Sequence, residues 1–347
     1  MSNTLINPTI IAKESLRQLK NSCVMGNLVY RGYETEWSKK VNGFKPGQSV
    51  TLECPMYARV TDGATLNVVD LVQRSTTFTL SYRKHVAHHL TSDEMTYNLD
   101  GWTEKIIKPA MQAIANYVDT TLLGLYKSIP NQVGTPGTTP STFLTFALAN
   151  AVLNNHAAPM ENRSVVVDPL CQAYIADHLK GLYQADIAGP AVKMARFAPQ
   201  IAGMAPYMSQ NVNSHTCGTA AGTTGLYVDD TVTEGDTGIN LDQNGSWNDV
   251  TFTQGDIFTV AACYGVNPIS GQSTGQLRQF VIDAATAGAA DDCPVTCTPG
   301  TSPYQIYSAS ATDPYLPYQN VDALPADNAV VTVDGTASLV HKVTLAF

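Results

Sequence analysis

Charged residues are scarce in this sequence, long apolar runs are missing, and none of the compact catalytic signatures occurs. Only 14% of the 347 residues are charged while 44% are hydrophobic, so the chain can bury a sizeable core and should form two or three domains. The balance of 20 basic and 29 acidic residues, a net charge of -9, excludes a surface dedicated to gripping phosphates, which needs clustered Lys and Arg. Any DNA contact is therefore expected to be local and weak. Nowhere do about 18 apolar residues follow one another, and residues 1–30 hold no basic stretch ahead of an apolar one. Neither a membrane span nor a secretion signal is expected, and the reading is a soluble protein made in a cytoplasm. GxSxG, HExxH, GxxxxGK[ST] and GxGxxG are absent from any strand-to-helix setting, which leaves hydrolase, zincin and nucleotide-binding readings without support. No enzyme and no cofactor is expected.

Cysteine is present but not as a framework. Seven is an odd number, and Cys23, Cys54, Cys171, Cys217, Cys263, Cys293 and Cys297 are scattered, which predicts mostly buried free thiols.

Along the chain, residues 7–22 predict a short amphipathic helix. Asn7 can cap it, Pro8 suits its first turn, and Ala12, Leu16, Leu19 and Cys23 recur at helical spacing opposite Lys13, Arg17 and Lys20. So few apolar residues cannot hold a helix this short alone, so it should pack elsewhere on the chain or on a neighbour. From Gly47 the period becomes two: Val50, Leu52, Met56, Ala58 and Val60 alternate with polar residues, Asp62-Gly63 supplies a turn, and Leu66 and Val68 begin a return strand. Residues 76–82 read as a further strand with Phe78, Leu80 and Tyr82 on one face. Asp100 or Gly101 can cap a brief helix to Lys108. Pro109 then opens a longer one to about Lys127, with Ala110, Ile114, Val118, Leu122 and Leu125 as its apolar stripe.

The turn-rich loop of residues 130–140 ends that helix and predicts a domain boundary. Residues 142–155 then read as a helix, 164–167 as a buried strand, and Asp168-Pro169 as the cap and first turn of a helix to about Leu179, a mixed α/β order. Beyond about Thr216 the composition shifts to Gly, Thr, Asp and Val. Short strands at 250–252, 257–263, 277–282 and 330–333, with turns at Asn244-Gly245 and Asp334-Gly335, predict a small barrel or sandwich. Its core is expected from Phe252, Ile257, Phe258, Val260, Leu277, Phe280 and Ile282.

Candidate chemistry is thin. His85, His88 and His89 crowd one run, but on a strand His88 faces away from the other two. His215, Cys217, Cys293 and Cys297 are the best zinc candidates, although the CPVTC spacing differs from a paired CxxC. Unpaired thiols, or one local disulfide, are the simpler reading, and no metal site is expected. Glu53 with Asp62, and Asp93 with Glu94, are acidic pairs only by proximity in sequence; such clusters more often cap helices or face solvent.

Three stretches carry a resemblance: GQSVTLECPMYARVTDGATLNVVDLV, WTEKIIKPAMQAIANYVDTTLLGLYKSIPNQVGTPGTTPS and QGDIFTVAACYGVNPISGQSTGQLRQFVI. They resemble tailed-bacteriophage coat proteins of the P-twenty-two type, within the HK-ninety-seven fold, and residues 105–139 are the most specific part. The resemblance implies an α+β capsid fold. Residues 1–46 would be an N-terminal arm and 47–75 an extended hairpin loop lying across an adjacent subunit. Residues 76–142 would form a peripheral domain around a spine helix at 109–127, and 143–216 the first part of an axial domain. Residues 217–339 would be an inserted β-barrel-like domain and 340–347 a return strand. In the family the chain continues beyond that point, whereas here it stops at HKVTLAF, so a truncated sequence is expected.

The implied function is a major capsid protein that self-assembles into the icosahedral shell around the genome of a double-stranded DNA phage. Its partners would be copies of itself in hexamers and pentamers, a scaffolding protein and a portal protein, with weak interior DNA contacts and no membrane. Tyr57, Arg59, Asp62, Gly63 and Leu66 are the expected inter-subunit contacts, and Ile114, Val118, Leu122 and Leu125 the spine-helix core. The chief rival is a β-rich surface binding or adhesion protein, suggested by the Gly/Thr-rich second half.

Overall fold

The computed structural model describes residues 8–32, 49–58, 60, 64, 66, 68, 70–79, 82–87, 103–179, 200–233, 236, 238–243, 250–288, 293–298 and 316–347. The chain divides into two compact units, one of Met1–Cys54 with Arg74–Gly124, the other of Pro55–Gln73 with Leu125–Phe347.

In the first unit, the arm helix Pro8–Ser22 and a single helical turn, Met25–Leu28, pack against a long helix, Lys108–Leu123. Pro109 occupies the first turn of that helix, where its missing N–H costs nothing. A π-helical turn over Thr103–Ile107 leads into it; the proposed caps Asp100 and Gly101 lie outside the described residues. The α-helix ends at Leu123 and tightens into a 3-10 turn over Gly124–Ser128, short of the expected Lys127. Its fully buried positions are Ala110, Ala115, Asp119 and Leu123. Ile114, Val118 and Leu122 are half-buried, and Leu125, expected in the same stripe, is 57% exposed because it lies past the end of the α-helical period. Leu16 of the arm helix is likewise exposed.

The same unit holds a short antiparallel pair, β1 (Ser49–Glu53) with β2 (Ser75–Thr79), running from Ser49 opposite Thr79 to Glu53 opposite Ser75. The return strand is therefore 75–79, not the run beginning at Leu66; among the described residues from 54 to 74 there is no strand. Residues of both strands in this ladder are mostly exposed, so the alternation marked a strand without marking a buried face.

The second unit contains a small α/β layer. Strand β3 (Ser164–Val167) is flanked by β4 (Ala205–Met208), parallel, and the C-terminal β15 (Leu345–Ala346), antiparallel. The helices Phe143–Asn155 and Pro169–Leu179 belong to this part of the chain. Asp168 caps the second through its carboxylate, which accepts the amides of Leu170 and Cys171 at 3.2 and 3.3 Å. Phe146, Val165, Val167, Cys171, Ile175, Ile201 and Met204 form one core. Arg163, also buried, donates to the carbonyls of Ala158 and Pro159 and to the side-chain amides of Asn150 and Asn154.

Between β4 and β15 the chain builds a closed six-stranded barrel. Its members are β6 (Leu226–Asp229), β7 (Gly238–Gln243), β9 (Ile257–Val266), β10 (Ser273–Ile282), β12 (Cys293–Thr298) and β13 (Val330–Val333), in the spatial order β10-β12-β7-β6-β13-β9. Two short pairs attend it: β5 (Ser214–Thr216) with β14 (Val340–Lys342), and β8 (Thr251–Phe252) with β11 (Thr286–Ala287). Closure removes the open edges that a sheet of this size would leave. The barrel core includes Leu226, Leu241, Phe252, Phe258, Val260, Phe280 and Ile282, with Phe258 and Phe280 stacked at 5.5 Å. Leu277, expected in this core, is 41% exposed; it lies where the β9–β10 ladder loses register. All seven cysteines are free, and five of them are buried.

Candidate functional site

Two features of the second unit stand out, one on the surface and one buried. The surface feature is the segment Pro55–Gln73. It follows Cys54, whose amide donates to the Arg74 carbonyl at 2.8 Å and closes the β1–β2 ladder. Within the segment Met56, Tyr57, Val60, Leu66, Val68 and Leu71 are all exposed, Val60 to 92% and Leu66 to 86%. Both its ends are clasped by Tyr318, which is 7% exposed. The Tyr57 amide donates to the Tyr318 hydroxyl at 3.4 Å, the two rings meet at 5.5 Å, and that hydroxyl donates to the Val72 carbonyl at 2.9 Å. Of the residues expected at inter-subunit contacts, Tyr57 and Leu66 are exposed here, while Arg59, Asp62 and Gly63 lie outside the described residues.

The buried feature surrounds His215, on β5. Asp256, in the turn before β9, accepts from His215 Nε2 at 2.9 Å through one carboxylate oxygen. Its other oxygen accepts the amides of Gly218 at 3.0 Å and Thr253 at 2.7 Å. Because a carboxylate can only accept, His215 Nε2 carries the proton. Tyr126 Oη then donates to Nδ1 at 3.0 Å, which satisfies a neutral imidazole on both sides. His341, on β14, sets its ring edge-on to His215 at 5.5 Å, and its Nδ1 lies 3.9 Å from Cys217 Sγ. His215 and Asp256 are 5% and 2% exposed. A cavity of about 220 Å³ lies alongside, lined by Tyr126, His215, His341, Pro136, Phe146 and Val165.

Burial sets the chemistry of this cluster. It pushes the Tyr126 hydroxyl up to about 12, aided by the charge of Asp256 and then by Cys217, so the phenol stays a donor at neutral pH. Burial, then Asp256, also raises the Cys217 thiol. Burial, as the largest cause, lowers His341 against the opposing charge of Asp256. Ligand atoms of His215, Cys217 and Asp256 lie within 4.8 Å of one another. A metal there would have to take a proton from a thiol whose ionisation is disfavoured and break the His215–Asp256 hydrogen bond. The arrangement fits a satisfied polar clamp, which ties β5, the turn before β9 and the 3-10 turn at Tyr126 together.

His215 and Cys217 thus come together as the HTC spacing allowed, but their third companion is Asp256. Cys293 and Cys297 sit on β12, where the alternating burial of that strand turns both into the barrel core. His85 is exposed, and His88, His89, Asp93 and Glu94 lie outside the described residues. Sequence reasoning missed Tyr126, Asp256 and His341, whose partners are 41 to 124 residues away in sequence. In the structure Gly255, at φ +100°, makes the turn that brings Asp256 ahead of β9. In the first unit sequence reasoning also missed Asp119, 1% exposed, whose carboxylate accepts the amides of Val24 at 2.8 Å and Gly26 at 3.0 Å and so caps the turn Met25–Leu28 from outside.

A family model described as "P22 coat protein - gene protein 5" matches residues 1–340. Among solved structures, one from Mycobacterium phage Che8 aligns at 13% identity, covering 90% of each chain, with a TM-score of 0.43. The mature capsid of bacteriophage PhiM1 aligns at 13% identity over 86% of this chain and 81% of that one, TM-score 0.36. The coat protein I-domain of CUS-3 aligns at 27% identity over 33% of this chain and 97% of its own, TM-score 0.22. The search of curated proteins finds no match.

Proposed function

The chain belongs to the P22 coat protein family, a major capsid protein that forms the shell of a bacteriophage, and from that premise we propose how its parts divide the work. The fold is of the HK-ninety-seven type, with an N-terminal arm over residues 1–46, an extended loop over 47–75, a peripheral domain over 76–142 around the long helix, and an axial domain from 143 to 216. The barrel is the inserted domain of residues 217–339, and β15 is the return strand beside β3.

The observation that carries this reading is the segment Pro55–Gln73. Its large apolar side chains are exposed together in a single chain, and such patches mark surfaces that a partner covers. We assign that partner as a second copy of the chain, with Tyr57, Arg59, Asp62, Gly63 and Leu66 at the contact. Each contact is modest, but a subunit gripped by several neighbours in hexamers and pentamers gains avidity beyond any one of them. Shell size and curvature would be guided by a scaffolding protein and a portal, with assembly in the host cytoplasm and only weak interior contact with DNA. Among the described residues no helix is long and apolar enough to cross a membrane.

Deleting residues 57–67 should leave soluble, folded protein that sediments as small species and shows no closed shells in electron micrographs. Normal particles from that deletion would refute the assignment.

A further inference from the structure

Arg278 stands on β10 where its ladder with β9 breaks. Leu277 faces Tyr264 while Gln279 faces Thr259, so a two-residue step on β10 opposes a five-residue step on β9. The excess on β9 includes Ala262, held at φ +62°. Bulges of this kind re-aim side chains and gather beside functional sites. Here Arg278 is only 8% exposed, and it lines a cavity of about 280 Å³.

Among the described residues no carboxylate pairs with this guanidinium. Its Nη1 lies 3.0 and 3.1 Å from the two ring nitrogens of His156, a single neutral acceptor. Its Nε–H is fully buried with no acceptor among the described residues. Among the described residues Arg17 pairs with Glu14 and His215 is hydrogen-bonded to Asp256, and no carboxylate pairs with Arg278. Burial and the Arg278 charge push His156 down to about 4, so the ring supplies no compensation. Burial lowers Arg278 itself only to about 10, which leaves it a cation at neutral pH. The contrast with Arg163 is instructive: at similar burial, that guanidinium spends its donors on four oxygens of its own chain. A buried, under-bonded cation carries a heavy desolvation penalty, which a bound anion would remove.

The rest of the wall is neutral and polar. Asn131, Gln132, Asn155, Thr274 and Gln276 line the same cavity; the Gln132 amide and the Thr274 hydroxyl already donate to Asp334 and to the Gly265 carbonyl, which leaves the amides of Asn131, Asn155 and Gln276 as donors, and no lining residue is a carboxylate. The volume admits a group the size of phosphate together with water.

We infer that this cavity binds a small oxyanion of the phosphate or carboxylate class, with Arg278 as its charged anchor and neighbouring amides as neutral donors. Arginine suits the task because its planar fork meets two oxygens of such a group at once. The inference rests on β10 together with the loop at Asn131 and the end of the helix Phe143–Asn155, and stands apart from the assembly reading.

The test is thermal unfolding of the full chain titrated with inorganic phosphate, with acetate and with chloride at matched ionic strength. Wild type should show a melting temperature that rises and saturates with phosphate but not with chloride. Arg278→Lys should weaken the apparent affinity about tenfold, since the point charge survives without the fork, and Arg278→Met should abolish saturation. Acetate acting like phosphate would support a carboxylate source, and a phosphate-only response a phosphate source. Phosphate also stabilises proteins non-specifically, so an equal rise in wild type and Arg278→Met would overturn the inference, as would equal responses to phosphate and chloride. Should Arg278→Met fail to fold, the NMR signal of the Arg278 Nε–H in wild type takes its place. It should shift saturably with phosphate, and a signal indifferent to phosphate would refute the site.

Discussion

Replacing Asp256 by alanine removes the acceptor for three buried donors at once: His215 Nε2, the Gly218 amide and the Thr253 amide. Each orphaned donor costs about 1–3 kcal/mol. The three are close enough to relax together, so the expected loss is about 3–6 kcal/mol, a large share of the stability of an ordinary domain, about 5–15 kcal/mol. Asparagine at the same position behaves differently. Its carbonyl oxygen can still accept the two amides, while its NH2 donates to His215 Nε2. The imidazole then carries its proton on Nδ1 and donates to Tyr126 Oη, so every group keeps a partner. Asp256→Asn should therefore cost only about 1 kcal/mol. Urea unfolding followed by circular dichroism gives both values, and hydrogen exchange at Gly218 and Thr253 localises them: fast in the alanine variant, nearly native in the asparagine one. Equal losses in the two variants, or a loss below about 1 kcal/mol for alanine, would refute the reading of this cluster as a hydrogen-bonded clamp.

Further outcomes follow from the same physics. Asp119→Ala should cost about 2–4 kcal/mol and speed exchange of the Val24 and Gly26 amides, which it alone caps among the contacts described; unchanged exchange would show that the turn holds without it. His156 is pushed down to about 4 by burial and by Arg278. The folded state therefore favours its neutral form, and this part of the stability is present above about pH 6.5 and lost as the pH falls toward 4. The full shift corresponds to about 3 kcal/mol, and its partial exposure reduces this to about 1–2 kcal/mol. His156→Gln should flatten the stability profile across that window, and an unaltered slope would contradict it. Burial raises the thiols of Cys171, Cys263 and Cys297 to about 12 and Cys293 to about 11. Iodoacetamide at pH 8 should accordingly modify half-buried Cys54 first and spare those four, as mass spectrometry of the folded chain can read. Gly218→Ala would drive its Cβ against the Thr251 carbonyl and the Asp256 carboxylate, so a melting temperature lower by several degrees is expected.

Local chemistry was legible wherever it sufficed. Pro8, Pro109 and the Asp168-Pro169 pair mark helix starts because a missing N–H or a side-chain acceptor acts within one turn. The strands at 164–167, 257–263 and 330–333 announced themselves through β-branched and aromatic residues, the second running on to Val266 in the structure, and the loop at 130–140 through its turn formers. The family too could be read from three stretches of sequence. What the residues alone did not show were pairings across long separations. The Leu66 run alternates as a strand should, yet the ladder closes with 75–79, since alternation sets which faces a strand has and says nothing about its partner. Cys293 and Cys297, four apart on a strand, share one face, and only barrel closure made that face the interior. Asp119, Asp256 and Arg278 look like ordinary surface charges in sequence. The tertiary structure decided otherwise: it buried two of them against donors 38 to 95 residues away, and placed the third in a cavity whose lining residues include no carboxylate. Burial is a property of the closed chain, because the low dielectric that gives a charge its consequence exists only once distant segments have met.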